Sequence, residues 1–250
     1  MKKIIILIPV FNDWESLKKL IKEIEFNTKE LNGFSFSCLV VNDASTIKPP
    51  KITKPENFGF LKVLNMKKNK GHGRCNAFGI RYACKNDEFD YLIVMDGDGE
   101  DRPEEIISLV KKVSESPNKS VVAKRIKRSE GLIFQFLYQM HKLITFIFTG
   151  KRINFGNYSC LKKQDAEILS NKQSLWSSFS GCLKKNIKTF NEIDSIRGSR
   201  YFGPSKMSLF NLIIHSFSII AVFKFQVLLR SIVFIIILHY LSIYLSSLSI

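Results

Sequence analysis

The sequence is poor in acidic residues and lacks the cysteine patterns that crosslink small proteins. Asp and Glu number 22 against 38 Lys and Arg, which gives a formal net charge of +16 over 250 residues. The five cysteines are scattered and include no C-x-x-C pair, so neither a disulfide framework nor a zinc site is indicated. The cysteines fit a reducing, cytosol-facing compartment, and the basic excess favours anionic partners: nucleic acid, anionic lipid or phosphorylated small molecules.

Two common phosphate-binding signatures are also missing. The stretch NKGHGRCNAFG, residues 69–79, combines backbone N–H groups with Lys70, His72 and Arg74, but it matches neither a P-loop nor a G-x-G-x-x-G fingerprint. Kinase and dehydrogenase functions are therefore disfavoured. The stretch remains a candidate nest for a diphosphate, because successive amides at a helix N-terminus bind anions.

Charged residues disappear near the carboxyl end. Residues 207–223 and 231–250 contain no Lys, Arg, Asp or Glu. Because about twenty apolar residues cross a bilayer, we predict a transmembrane segment at 231–250. The shorter stretch contains Asn, His and Ser, and this favours an interfacial helix or a hairpin arm. A pair of core helices in a soluble protein is the alternative.

The two ends of the chain differ in their predicted targeting. MKKIIILIPVF begins like a signal peptide, but its apolar run is short and no small-residue cleavage site follows, so we predict a first strand. Lys206, Lys224 and Arg230 precede the apolar stretches, and the positive-inside rule then places the preceding chain in the cytoplasm. We therefore expect a cytosolic domain, 1–206, and a membrane-associated part, 207–250.

Apolar runs alternate with helical patterns along the first half of the chain. The predicted strands are 3–11, 36–43, 60–66, 89–96 and 120–125, and the predicted helices begin near residue 14 and cover 71–84, 102–116 and 131–148. This alternation predicts an α/β fold, a mostly parallel sheet with helices on both faces. We expect the helix at 131–148 to pack on the sheet, with a lipid-facing role as the alternative, and residues 150–206 to form mixed short elements.

Polar residues follow several predicted strands at the point where each strand ends. These residues are Asp13, Asp43, Asp96, Asp98, Arg125 and Arg128. The carboxyl ends of parallel strands meet at one edge of a sheet, where ligands bind. The sequence therefore predicts a site at this edge.

The stretch MDGDGED concentrates acidic side chains in a basic chain. Asp96, Asp98 and Glu100 alternate, so in an extended segment their oxygens point to one side. Carboxylates this close repel one another unless a cation or water lies among them. Mg²⁺ and Mn²⁺ take oxygen ligands, commonly completed by substrate phosphates. We predict a metal site, with a solvated acidic turn as the alternative.

Five stretches together resemble a known family. IPVFND, VNDAS, NKGHGRCNAFG, MDGDGED and RYFGPSK occur in the order and at the separations of family 2 of the inverting nucleotide-sugar glycosyltransferases, and within it the polyprenyl-phosphate sugar transferases are most similar. The resemblance covers roughly residues 3–206, and the apolar carboxyl end matches that branch's membrane anchor. It implies a Rossmann-like A-type glycosyltransferase fold. It also implies metal-dependent transfer of a sugar from a UDP- or GDP-linked donor to a polyprenyl phosphate.

The resemblance also implies roles for single residues. Those on the donor side are Pro9, Asn12, Asp13 and Asp43, joined by the nest residues Lys70, His72 and Arg74. Asp96 and Asp98 would be catalytic and hold the metal, with Glu100 as a third ligand where the branch often has Gln. The acceptor phosphate would meet Arg125, Arg128, Arg200, Ser205 and Lys206. Asn42, which replaces the first Asp of a common D-D-x-S form, and Gly73, where a longer polar residue is usual, depart from the pattern.

The nature of the acceptor and partners leaves alternatives open. A phosphate monoester, with a second pKa of about 6, is ionised near pH 7 and needs no strong base. A glycan hydroxyl would need one, for which Glu192 or Asp194 is the candidate. A catalytically silent membrane-anchored scaffold is a further alternative. We expect anionic membrane lipid as a partner and no nucleic acid, since no nucleic-acid-binding motif is recognised, and a homo-oligomer stays open.

Overall fold

The computed structural model describes residues 1–127, 132–203 and 209–248. The strands in these residues are β1 (Lys2–Val10), β2 (Phe34–Asn42), β3 (Phe58–Asn65), β4 (Tyr91–Val94), β5 (Val121–Lys127), β6 (Phe155–Lys162) and β7 (Asn191–Ile196). The helices are α1 (Trp14–Thr28), α2 (His72–Asn86), α3 (Glu105–Glu115), α4 (Leu132–Thr149), α5 (Lys163–Ser170), α6 (Phe179–Asn186), α7 (Leu209–Val222) and α8 (Lys224–Leu248), with a 3₁₀ turn at Gln173–Trp176. Each strand and helix predicted in the first half has its counterpart.

The described strands form one sheet in the order β3-β2-β1-β4-β6-β5-β7. β1 pairs in parallel with β2 and β4, β2 with β3, and β5 with β7. β6 is antiparallel to both of its neighbours. The predicted fold class is confirmed, and β6 is an interior strand that the sequence did not predict. Its sequence, FGNYSCLK, mixes Gly, Asn and Ser with apolar residues and so lacks an apolar run.

The core lies on both faces of the sheet, and β1 shows how. Its alternate residues Ile4, Ile6 and Ile8 pack with α1 and α3, whereas Ile5 and Leu7 pack with α2, α5 and α6. Successive side chains of a strand point to opposite faces, so a strand covered on both sides is apolar throughout. This packing fixes the carboxyl ends of β1, β2 and β4 at one edge.

Two basic side chains connect the last two helices to the rest of the protein by binding carbonyls near helix ends. Lys185 Nζ on α6 donates to the Val222 carbonyl of α7 at 2.6 Å. Arg230 Nη1 on α8 donates to the Ile147 carbonyl of α4 at 3.1 Å, and its guanidinium lies over Gly150. The last carbonyls of a helix have no partner within it, so these cations satisfy them.

α4 contacts α7 and α8 in the described part of the chain, rather than packing mainly on the sheet as predicted. Met140, Leu143, Ile144 and Phe146 of α4 are exposed apolar side chains. This arrangement agrees with the lipid-facing alternative. A wholly apolar pattern cannot by itself tell which apolar surface a helix meets.

α8 is the one helix in the described residues that is long and apolar enough to cross a membrane. It contains an apolar segment, Lys224–Ser247, whose most apolar 18 residues have a mean hydropathy of 2.1. None of these 18 residues is buried. The helix begins at Lys224, before the segment predicted at 231–250. α7 contains a shorter apolar stretch, Ile213–Val222. The predicted boundary at residue 206 stays a prediction.

Candidate active site

A cleft of about 990 Å³ opens at the carboxyl ends of β1, β2 and β4. Most of the predicted site residues line it: Pro9, Asp13, Asp43, Lys70, His72, Arg74, Asp96, Asp98, Glu100 and Arg200. These residues come from parts of the chain far apart in sequence, and the parallel strands bring them to one edge.

The acidic stretch after β4 forms a tight turn, not the extended segment assumed from its alternation. Gly97 passes so close to β1 that an added Cβ would lie 2.8 Å from the Pro9 carbonyl oxygen, and Gly99 has a φ of 89°. The Glu100 N–H donates to Asp98 Oδ1 at 3.0 Å, and the Asp96 N–H donates to Asp101 Oδ2 at 2.9 Å. Glycine and side-chain acceptors therefore decide the local geometry.

The carboxylates of this turn are crowded, and their pKa values separate. Burial and then the charge of Asp96 raise the pKa of Asp98 to about 6 and that of Asp101 to about 7. Burial also raises the pKa of Asp96, but His72, Arg197 and Arg125 together lower it below its ordinary value. Asp96 is thus ionised among positive groups, and the whole turn favours added positive charge.

Two arginines from the segment after β7 neutralise the turn. Arg200 donates from Nη1 to Asp98 Oδ2 and from Nη2 to Asp13 Oδ2, both at 2.6 Å, and Arg197 pairs with Glu100. The segment is held in place because the Tyr201 N–H donates to the Asp98 carbonyl at 3.0 Å. Burial lowers the pKa of Arg197, but the charges of Asp96 and Glu100 raise it above its ordinary value.

The two arginines differ in how the sequence presented them. Arg200 was predicted to bind the acceptor phosphate, and the structure places it between carboxylates predicted for donor and metal. Arg197 was missed. The available signal was a second arginine, three positions before Arg200 and directly after β7.

Asp43 is bound by the backbone of the predicted diphosphate nest. Its two carboxylate oxygens accept the N–H groups of Lys70 and Gly71, each at 2.7 Å. Gly71 has a φ of 87°, which glycine tolerates best. These two amides therefore tie the start of α2 to the end of β2, and the side chains of Lys70, His72 and Arg74 supply the positive lining.

Asn12 and Arg125, both described, are not among the residues that line the cleft. The Asn12 carbonyl oxygen Oδ1 accepts the N–H groups of Thr46 and Ile47 at 2.9 and 3.0 Å, which holds the loop after β2. Arg125 Nη2 lies 3.8 Å from Asp101 Oδ1. Both are near the site rather than in its wall. The predicted residues Arg128, Ser205 and Lys206 lie outside the described residues.

The opposite wall of the cleft was not predicted. It consists of Trp176, Ser177, Ile214, His215, Phe217, Ser218 and Ala221, most of them on α7. The Trp176 ring lies 6.0 Å from the Arg74 guanidinium and 5.8 Å from that of Arg81. The His72 and His215 rings have centroids 6.1 Å apart. The only signal in the sequence was a histidine within an uncharged stretch.

The carboxylates in the cleft fit a divalent cation that a substrate also binds. Among residues 1–127, 132–203 and 209–248, no group of three or more His, Cys, Asp or Glu side chains is placed to hold a metal. Asp96 and Asp98 do face the cleft, and the guanidinium on Asp98 shows that its carboxylate accepts a cation there. Two carboxylates suit Mg²⁺ or Mn²⁺, whose remaining ligands are phosphate oxygens and water. Glu100, paired with Arg197, stays only a predicted third ligand.

The candidate bases for a glycan acceptor lie away from the cleft lining. Glu192 and Asp194 occupy exposed positions on β7. Glu192 Oε2 lies 3.9 Å from Lys124 Nζ. A general base must come within hydrogen-bond reach of the proton that it removes, and this placement does not favour either residue.

Comparisons with known proteins agree with this architecture. The chain is 27% identical over 226 residues to the undecaprenyl-phosphate 4-deoxy-4-formamido-L-arabinose transferase of Photorhabdus laumondii subsp. laumondii. The alignment covers 85% of this chain and 65% of that protein. The enzyme of the same name from Serratia proteamaculans is 27% identical over 218 residues, with the same coverage of 85% and 65%. The chain thus spans 65% of the length of these curated relatives.

Solved structures of low identity share the fold. Mannosyl-3-phosphoglycerate synthase from Rubrobacter xylanophilus superposes with a TM-score of 0.63 at 14% identity, covering 92% of this chain and 75% of that one. Glucosyl-3-phosphoglycerate synthase from Mycobacterium tuberculosis, solved with Mn²⁺, UDP-glucose and phosphoglyceric acid, gives 0.60 at 13%, covering 90% and 80%.

The family model described as "Glycosyl transferase family 2" matches residues 5–196, which contain every strand of the described sheet except the first three residues of β1. The match includes the strand-end carboxylates and the α2 nest. It ends before α7. On this match the chain belongs to glycosyl transferase family 2.

Proposed function

We propose that the protein is an inverting glycosyltransferase that moves a sugar from a nucleoside-diphosphate donor to a polyprenyl phosphate at the membrane surface. The observation that carries the proposal is the composition of the cleft. Strand-end carboxylates and basic side chains border one side, and the apolar helix α7, which leads into α8, borders the other. An acceptor with a phosphate head and an apolar tail suits such a cleft. The names of the curated relatives support the same class of acceptor.

The donor would lie along the carboxyl ends of β1 and β2. Pro9, Asp13 and Asp43 would meet the nucleoside, whose hydroxyls and base edges suit carboxylate and backbone partners. Asn12 would act by holding the adjoining loop, as its bonds to Thr46 and Ile47 suggest. The side chains of Lys70 and Arg74 would face the diphosphate, since positive groups at a helix N-terminus attract phosphate oxygens.

Asp96 and Asp98 would hold Mg²⁺ or Mn²⁺ together with diphosphate oxygens. When bound, such a cation supplies positive charge that stabilises the departing nucleoside diphosphate. Arg200 pairs with Asp98, and Arg197 pairs with the neighbouring Glu100, so the protein itself supplies positive charge to this turn.

The acceptor phosphate would attack the anomeric carbon from the face opposite the diphosphate, which inverts its configuration. No side chain has to take a proton from an oxygen that is already ionised. The exposed positions of Glu192 and Asp194 support this acceptor over a glycan hydroxyl. We place Arg125, Arg128, Ser205 and Lys206 near the acceptor phosphate as a proposal that follows from the family resemblance.

The membrane arrangement follows from α8 and its flanking charges. Lys224 and Arg230 lie in the first part of α8, so the helix would cross with this end on the cytoplasmic side and with the cleft on the same side. The net charge of +16 would then hold the domain against anionic lipid.

The test uses membranes that contain the full chain. They are incubated with Mn²⁺ and radiolabelled UDP- or GDP-sugars, and the label is followed into an organic-extractable, mild-acid-labile fraction. One of the donors should give such a product, and Asp98→Asn should abolish it while Glu30→Gln, an exposed carboxylate change, should not. Label found only in water-soluble glycan would contradict the lipid-phosphate acceptor.

A further inference from the structure

We propose that α7 is part of the acceptor site: the imidazoles of His72 and His215 bind the acceptor's phosphate, and exposed apolar side chains of α7 hold the start of its hydrocarbon chain. This inference rests on the proposed function, because it locates the binding site of the proposed acceptor. The family match ends at residue 196, so the site would include a wall beyond the matched part.

The two histidines come from different elements and meet in the lining of the cleft. His72 is the first residue of α2, and His215 lies in the middle of α7. Their ring centroids are 6.1 Å apart, and the rings are tilted by 39°. Rings this close leave no room for a phosphate between them, but a phosphate that lies beside both rings can accept one N–H from each. The pair therefore forms a phosphate grip that neither helix provides alone.

This grip lies beside the reacting groups. His72 lines the same cleft as Asp96 and Asp98 of the turn proposed to hold the metal, and it is among the groups that lower the pKa of Asp96. A phosphate bound at His72 would consequently lie next to the donor diphosphate. Short separation between attacking oxygen and sugar is what transfer requires.

Charge in the cleft is distributed so that a phosphate is drawn to this side. Both Nη atoms of Arg200 bind carboxylates, those of Asp13 and Asp98. The helical side of the cleft is lined by Lys70, His72, Arg74 and His215. An incoming dianion thus meets its basic partners on the α2 and α7 side.

The apolar part of the proposed site lies beside His215 on α7. Ile214 and Phe217 line the cleft, although 47% and 64% of their surfaces are exposed. Residues three apart share a helix face, so the two side chains form one apolar strip next to His215. The strip is fixed because Val222 and Phe223 are buried and Lys185 binds the Val222 carbonyl. An apolar strip beside a phosphate grip matches a prenyl phosphate.

The test measures binding, not transfer. The full chain in detergent micelles is titrated with farnesyl phosphate, farnesol and inorganic phosphate. The signal is the change in tryptophan fluorescence, recorded in a Trp14→Phe background so that it comes from Trp176, which lines the cleft. Wild type should bind farnesyl phosphate at least about tenfold more tightly than farnesol or inorganic phosphate. His215→Phe and His72→Phe keep a ring and remove its N–H, and each should weaken farnesyl phosphate about tenfold, leaving farnesol unchanged.

Two further variants serve as controls. His215→Gln restores an N–H donor and should recover part of the lost affinity. His239→Gln changes a histidine of α8 away from the cleft and should bind like wild type. Because farnesol binding reports an intact cleft, a selective loss of phosphate affinity in His215→Phe cannot come from unfolding.

The outcomes separate this inference from the proposed function. If wild type prefers farnesyl phosphate and His215→Phe keeps that preference in full, the histidine grip is wrong and the acceptor class stands. If wild type binds farnesyl phosphate no better than farnesol, both proposals fail. If inorganic phosphate binds as tightly as farnesyl phosphate, the apolar strip of α7 is not part of the site.

Discussion

The two walls of the cleft are built in opposite ways. The carboxylate wall consists of Asp13, the turn at 96–101, Arg197 and Arg200, and it is held by partly buried ion pairs and by backbone hydrogen bonds. The helical wall consists of the start of α2, Trp176 and α7, and it presents rings and apolar side chains that remain partly exposed. Changes in the first wall should therefore reduce stability and activity together, whereas changes in the second should alter recognition without a loss of stability.

Removal of divalent cations should have the largest effect on activity, and it should affect the function of the carboxylate wall alone. With EDTA in place of Mn²⁺, the initial rate of label transfer into lipid should fall on the order of a thousandfold, about 4 kcal/mol, and Mn²⁺ should restore it. Farnesyl phosphate binding to the helical wall should persist in EDTA. Transfer that continues at its full rate after chelation would contradict the roles of Asp96 and Asp98.

Arg200→Ala should come next. It leaves the carboxylates of Asp13 and Asp98, only 20% and 17% exposed, without their shared partner. Removal of one member of a buried ion pair is strongly destabilising, and at this partial exposure we expect a loss of about 2–3 kcal/mol in the free energy of unfolding.

Denaturant unfolding of the detergent-solubilised chain measures that loss. Adding Asp98→Asn to Arg200→Ala should recover part of the stability, because the second change removes an unpaired charge. Strictly additive losses in the double variant would show that the two side chains are not coupled.

A glycine on each wall allows a matched comparison. In Gly97→Ala the new Cβ meets backbone, the Pro9 carbonyl oxygen at 2.8 Å, and we expect a loss of about 2 kcal/mol in the free energy of unfolding. In Gly73→Ala the Cβ meets nothing within 4 Å, and alanine in α2 should gain up to about 1 kcal/mol. Thermal unfolding midpoints should move in opposite directions. Equal shifts would mean that the two walls are equally tolerant.

Phe217→Ala should have the smallest effect on stability. Its side chain is 64% exposed, so the free energy of unfolding should change by less than about 0.5 kcal/mol. The KM for a prenyl phosphate should rise about fivefold with kcat unchanged, since the contact is made equally before and during transfer. A fall in kcat instead would place Phe217 in the chemistry of the carboxylate wall.

The part of the site that could be predicted from sequence is the part that depends on local pattern. The apolar runs predicted the strands. Asp13, Asp43 and Asp96 follow these strands, and their positions predicted the edge of the sheet where the cleft opens. The prediction of an extended segment around Asp98 was wrong. Hydrogen bonds and the glycines at 97 and 99 fold these residues into a turn, and the alternation of acidic residues does not reveal this.

The rest of the site depends on residues that are distant in sequence. Arg197 meets Glu100 only because β7 lies beside β5 and the following segment runs back along the turn. His215 meets His72 only because α7 packs on α6 and α4 instead of lying apart from the domain. Periodicity carries no information about either encounter, and an apolar helix has several surfaces on which to settle.

If α8 spans a membrane as proposed, the Arg230 contact has a consequence for the orientation of the domain at the bilayer surface. A domain on one spanning helix is ordinarily free to swivel at the bilayer surface. Here the Arg230 guanidinium binds the Ile147 carbonyl and lies over Gly150, which adds a hydrogen bond between α8 and α4 and would limit that rotation. The mouth of the cleft would then keep a more constant orientation toward the lipid.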